Sequence, residues 1–276
     1  MRYDPPVSAL LTRGEVRFEQ SGWPDYAAAY GFDTTHVPEL IRMATDPELN
    51  SLAHDPEVWA PVHAWRALGQ LRATEAIEPL IGLFDLIESD DFVPETAEAL
   101  AMIGPDALPP LARHLADTAR PLYSRTLAAE AIGKVGSRHP SARDDAVVTL
   151  TRHLEQFESH DPELNAFLVS ALLDLGATEP DAVAVMEAAY TADSVDESIC
   201  GDWEDVRIGL GLLPERLTPK PRPLFDRLVA RAGASEEAAD FLPPPPQMGR
   251  TRKEKAKAKA RHKMAKESRR RNRRRR

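Results

Sequence analysis

Apolar residues recur along this chain with a helical period. Val58, Val62, Trp65, Leu68 and Gly69 fall at i, i+4, i+7, i+10 and i+11, and Leu164, Leu168, Ala171, Leu172 and Leu175 repeat that spacing. Such stripes predict amphipathic helices, each with one face that must be buried against a neighbour. No segment sustains the apolar–polar alternation that a strand between hairpin turns requires. The intervening stretches, such as His54-Asp-Pro-Glu57 and Gly104-Pro-Asp106, hold the residues that start and stop helices.

The helical segments recur. Ala67-Leu-Gly-Gln-Leu71, Ala99-Leu-Ala-Met-Ile103, Ala131-Ile-Gly-Lys-Val135, Ala171-Leu-Leu-Asp-Leu175 and Gly209-Leu-Gly-Leu-Leu213 share one pattern, with leading residues 32, 32, 40 and 38 apart. A second family alternates with it: Ala76–Phe84, Ala107–Leu115, Ala146–Leu154 and Ala182–Met186, with His36–Met43 as a more divergent copy. Helix pairs repeating at this period predict an all-α fold, a solenoid of antiparallel pairs in which each repeat packs on the next.

The segment Asp55-Pro-Glu-Val-Trp-Ala-Pro-Val-His-Ala-Trp-Arg-Ala-Leu-Gly69 resembles the Asp-x-x-Val-Arg-x-x-Ala-Ala-x-Ala-Leu-Gly core of HEAT-like repeats of the phycobilisome-lyase type. The resemblance runs over roughly residues 35–213, and the body is similar to bacterial HEAT-like proteins, some of which carry a C-terminal cysteine-rich metal motif. That motif is missing here, so metal binding does not carry over. The pattern also departs at Trp59, where the repeat has Arg, and at the irregular Asp90-Asp-Phe-Val-Pro94. The resemblance implies that helices of the first family line a concave surface.

Charge divides the chain. Residues 249–276 hold 16 of the 35 lysines and arginines but two of the 44 acids, giving +14 against −23 for residues 1–248. Between the two lies Pro243-Pro-Pro-Pro246, which cannot continue a helix and favours an extended spacer. Three parts follow from this: a helical repeat body at 1–232, a Pro-rich linker at 233–249, and a basic tail at 250–276. The tail lacks aromatic residues and cannot build a core, so disorder is expected there. Cys200 is the one cysteine of 276 residues, which argues against disulfides and for a cytoplasmic setting. No run of roughly 18 apolar residues predicts a membrane span, and the N-terminus has too short an apolar core for a secretory signal.

Signatures of catalysis are weak. Gly133-Lys-Val-Gly-Ser137 has the wrong spacing for a phosphate loop, and Gly209-Leu-Gly211 lacks a third glycine. His153 and His160, seven apart, have no carboxylate to complete a metal site. Cys200 reads as a packing cysteine. No cofactor or metal is expected, and the chain is not expected to be an enzyme. A tetrapyrrole-lyase or peptide-modifying activity is the catalytic alternative, prompted by the repeat's namesake alone.

Binding has more material. Trp59, His63, Arg66 and Gln70 form a stripe rotated from the apolar one, read as the floor of a groove for a protein or peptide or as a solvated face. Arg66 aligns with Glu98, Glu130 and Ser170, which predicts a row across successive helices. Asp202, Trp203 and Glu204 open the last helix, with Asp202 as its N-cap, and with Glu98 and Glu130 they are the further candidates for binding a protein. The tail's Arg250, Arg252, Lys253, Lys255, Lys257, Lys259, Arg261, Lys263, Lys266, Arg269, Arg270, Arg271, Arg273, Arg274, Arg275 and Arg276 are suited to nucleic-acid phosphates, ribosomal RNA among them. The expectation is a non-catalytic adaptor or scaffold. A pure protein scaffold whose tail docks on its own acidic body is the alternative, and the sequence leaves the partner and oligomeric state open.

Overall fold

In the computed structural model, the described residues are 3–15, 23–51, 56–86 and 94–219. Among them the regular elements are helical, with no strand. They are α1 (Tyr26–Tyr30), α2 (Val37–Ala44), α3 (Pro47–Ser51), α4 (Ala60–Gln70), α5 (Ile77–Gly82), α6 (Pro94–Ile103), α7 (Leu108–Ala116), α8 (Leu122–Arg138), α9 (Arg143–Leu154), α10 (Pro162–Asp174), α11 (Pro180–Thr191), α12 (Glu197–Cys200) and α13 (Trp203–Gly209), joined by short 3-10 turns. The chain divides into two units, Met1–Leu212 and Leu213–Arg276. In the second, only residues 213–219 are described, and the linker at 233–249 and tail at 250–276 lie outside the described residues.

Local chemistry explains where the helices begin and end. At the start of α10, the Asp161 carboxylate accepts from Glu163 N–H at 2.9 Å and Pro162 follows with its φ already helical. At its end, Gly176 adopts φ 59°, and the amides of Gly176 and Ala177 return to the carbonyls of Leu173 and Leu172. This is a Schellman-type close that satisfies carbonyls the helix leaves over. Helix α4 closes the same way, with Arg72 at φ 52° and the amides of Arg72 and Ala73 returning to Gly69 and Leu68. There a side chain occupies a backbone region that glycine fills without strain.

Within the first unit, α2, α4, α6, α8, α10 and α12 pack each on the next. A second series, α5, α7, α9 and α11, packs beside it in the same order, and α5–α6, α7–α8, α8–α9, α9–α10 and α10–α11 join the two. The apolar stripes read from the sequence face inward: Val62, Trp65 and Leu68 of α4 and Leu164, Leu168 and Leu172 of α10 are buried. Trp65, expected in the core, donates its indole N–H to the Ala44 carbonyl at 3.0 Å.

The small residues of the first sequence family have a packing cause. A Cβ on Gly69 would lie 3.1 Å from the Ala99 Cα, and one on Gly133 would lie 3.1 Å from the Ala171 Cβ. These positions let neighbouring helices approach closely. Polar ties carry the same period. Ser124 donates to Asp85, His139 to the Ala101 carbonyl, Arg138 to Glu98, and Arg143 to Glu179 and the Leu175 carbonyl, with chain separations between 32 and 40.

Candidate functional site

The stripe on α4 is a genuine line of side chains, but it is not an open floor. Trp59, His63 and Arg66 are buried, 9, 3 and 4% exposed, and Gln70 is half-buried. The groove and solvated-face readings of these residues are therefore both corrected. The reason lies in the N-terminal segment, which packs over α4 and supplies its partners. The Tyr26 hydroxyl is 2.6 Å from His63 Nδ1, and His63 Nε2 is 3.0 Å from the Gly14 carbonyl. Because a carbonyl can only accept, Nε2 carries the imidazole proton and Nδ1 accepts from Tyr26. Gln70 donates to the Pro24 carbonyl at 2.7 Å and accepts from Tyr26 N–H at 2.9 Å. Burial pushes the His63 pKa down to about 4, aided by the charges of Arg13 and Arg66.

Arg66 turns toward α6. Its Nε and Nη2 donate to both oxygens of Glu95 at 2.9 Å each, and its guanidinium lies over the Trp23 ring, 5.1 Å from the centroid. Burial opposes the charge on Arg66, but Glu95 outweighs it and holds the guanidinium above its ordinary pKa. The sequence offered one clue to this arrangement. Trp23, Tyr26, Tyr30 and Phe32 make the N-terminal segment aromatic, and such side chains need a surface to cover.

Glu98 and Glu130 do come together. Lys134 lies 3.7 Å from Glu98 and 3.6 Å from Glu130, while Arg138 donates to Glu98 at 2.9 Å. All are partly exposed on α6 and α8, with Met102, Phe167 and Ser170 half-buried on α6 and α10. Arg66 is absent from this row because Glu95 holds it inward.

At the far end of the first unit, Asp202 caps α13 as expected, accepting from Asp205 N–H at 3.0 Å. Trp203 packs on α11, its ring centroid 5.6 Å from that of Tyr190, and donates to Glu187 at 3.3 Å. Glu204 is half-buried beside it. The Tyr190 hydroxyl donates to the Gly201 carbonyl at 2.9 Å and lies 3.0 Å from Cys200 Sγ. Burial raises the thiol pKa, which suits a packing cysteine rather than a thiolate nucleophile.

One cluster has no motif behind it. Ser124 Oγ lies 2.6 Å from His114 Nε2 and 2.6 Å from Asp85 Oδ1, and Arg120 also pairs with Asp85. The hydroxyl proton goes to the carboxylate, so His114 Nε2–H must donate to the hydroxyl. That polarity is the reverse of an activated serine, whose proton leaves toward a basic imidazole. Ser124 is fully buried. The arrangement can tie α8 to the segment after α5, where Asp85 lies, and to α7, but it cannot present a nucleophile.

His153 and His160 do not share a helix. His153 ends α9, and His160 lies in the connection to α10. Among the described residues no group of three His, Cys, Asp or Glu side chains is placed to hold a metal, and no helix is long and apolar enough to cross a membrane. All sixteen basic tail residues, from Arg250 to Arg276, lie outside the described residues. No family model, curated protein or solved structure matches this chain.

Proposed function

We propose that this protein is a non-catalytic adaptor: a HEAT-like α-solenoid body that holds a protein or peptide, joined by a Pro-rich linker to a basic tail that contacts nucleic acid through its phosphates. The observation that carries the reading is the charge division, +14 over residues 249–276 against −23 over the remainder. A polyanion gains from the tail by counterion release and is repelled by the body, so the two parts have separate partners. The solenoid reading is supported by helices that pack each on the next and by polar ties at the repeat period. The stripe of Glu98, Met102, Glu130, Lys134, Phe167 and Ser170 replaces the α4 stripe as the surface for the protein partner, because the N-terminal segment already covers α4.

A second reading has one observation in its favour. Asp193, Asp196, Glu197, Asp202, Glu204 and Asp205 gather acids around α12 and α13, and a tethered basic tail meets them at high effective concentration. Affinity purification from lysate, with and without nuclease, separates the readings. Nucleic acid that co-purifies, and is released by salt, supports the adaptor. Protein partners alone, unchanged by nuclease, support the scaffold with a self-docked tail.

A further inference from the structure

The α4 stripe is not open, but the segment that closes it is held as a peptide is held. In α6, α8 and α10 the residues that align with Arg66, namely Glu98, Glu130 and Ser170, remain partly exposed, so α4 is the exception in this row. Of residues 23–31, which cross it, only Tyr26 is buried. Trp23, Pro24 and Tyr30 are half-buried, and Asp25, Ala27, Ala28, Ala29 and Gly31 are exposed. One buried aromatic flanked by two half-buried ones is the profile of a bound peptide with a single anchor, not of a helix fixed by an apolar stripe.

The polar contacts have the same character. Side chains of α4 reach the main chain of the segment at Gly14, Pro24 and Tyr26. The single Gln70 amide donates to the Pro24 carbonyl at 2.7 Å and accepts from Tyr26 N–H at 2.9 Å, and Asp25 between them is extended, with φ −74° and ψ 100°. Side chains then add choice. The Tyr26 hydroxyl donates to His63 at 2.6 Å, and the Trp23 ring centroid lies 5.1 Å from the Arg66 guanidinium. Glu95 holds Arg66 from α6, so that part of the surface is set independently of the segment. Main-chain hydrogen bonds for affinity, with side-chain contacts at fixed spacing for specificity, are how a groove recognises an extended peptide.

We propose that α4 is a peptide-binding site kept closed by the chain's own N-terminal segment, and that an extended peptide with an aromatic residue three positions before a tyrosine displaces it. The spacing is that of Trp23 and Tyr26, which the Arg66 and His63 side chains meet, with Gln70 holding the main chain between. The tethered segment competes at roughly millimolar effective concentration, so the intact chain masks the site until a partner outbids it. This site is distinct from the open row at Glu98, Glu130 and Ser170 and does not depend on the adaptor reading.

The test is anisotropy of a labelled synthetic peptide of residues 23–32, Trp-Pro-Asp-Tyr-Ala-Ala-Ala-Tyr-Gly-Phe, titrated with the full chain. Tyr26→Ala in the protein removes the anchor of the tethered copy, and the peptide should then bind about tenfold or more tightly than it binds wild type. If that variant fails to fold, Trp23→Ala loosens the segment at a half-buried position by loss of its contact with Arg66, and a gain of about threefold is expected. Adding Gln70→Ala should reverse either gain, because the hold on the main chain is lost. A peptide with alanine in place of its first tyrosine should not bind. No gain in the loosened variants, or binding that survives either control, would overturn the proposal. So would a wild-type dimer in light scattering that Tyr26→Ala dissolves, because the segment is then exchanged between copies rather than held on its own α4.

Discussion

Replacing Glu95 with leucine tests the ion pair between α4 and α6. The Arg66 and Glu95 side chains are 5 and 10% exposed, and two hydrogen bonds of 2.9 Å join them. At the effective dielectric typical of such sites, opposite charges at this separation attract by about 4 kcal/mol, and each ion has already lost most of its water. Glu95→Leu leaves the guanidinium buried with the Trp23 face and the Tyr26 side chain as its remaining compensation, so the expected loss is about 3–5 kcal/mol. Adding Arg66→Met removes the stranded charge, and the double variant should return to within about 1–2 kcal/mol of wild type. The exposed Arg113–Glu78 pair is an internal control at 65 and 66% exposure, where Glu78→Gln should cost less than about 1 kcal/mol. Urea unfolding followed by helical circular dichroism, with slopes compared across the cycle, gives each value. A single variant costing no more than the control, or a double variant no more stable than Glu95→Leu, would refute this account of the interior.

Acid should loosen the N-terminal segment through His63. Its folded pKa of about 4 lies below its ordinary 6.5, so the unfolded chain binds the extra proton, and stability present above about pH 6.5 is lost as pH falls toward 4. His63→Gln should flatten that part of the stability–pH curve by about 2–3 kcal/mol, measured as the difference in urea midpoint from wild type at each pH. Trp59→Ala and Trp65→Ala should each destabilise by about 3–5 kcal/mol in thermal melts, and an unaffected Trp59→Ala would restore the open-groove reading. Arg72→Gly should stabilise by about 1 kcal/mol, because it relieves a left-handed side chain where the equivalent helix end uses Gly176; a loss of stability would show that the Arg72 side chain contributes more than its backbone strain costs.

The helices were legible because their apolar stripes are regular. Leu164, Leu168 and Leu172 are spaced as a helix face must be, and they are buried as that spacing requires. The small residues were legible as a pattern but not as a mechanism; close approach of Gly69 to Ala99 becomes visible only when two helices are side by side. The α4 stripe misled because its polarity resembles that of a solvated face. Helical spacing places His63, Arg66 and Gln70 on one side, but it carries no information about a segment some forty residues earlier that covers them. Nor does it distinguish a neutral, tautomer-fixed His63 from a surface imidazole. The Asp202 cap was readable because capping is local, with donor and acceptor three residues apart. The Asp85–Ser124–His114 cluster was not, because its members lie 10 and 39 residues apart and meet only through the packing of separate elements.

The central claim is that the tail, not the body, engages nucleic acid. Its most direct test is anisotropy of a labelled RNA titrated with the full chain and with a chain lacking residues 250–276. If six to ten phosphates are contacted, affinity for the full chain falls by about 10³–10⁵ between 50 and 200 mM salt, and the shortened chain does not bind. Binding that survives removal of the tail, or that ignores salt, would contradict it.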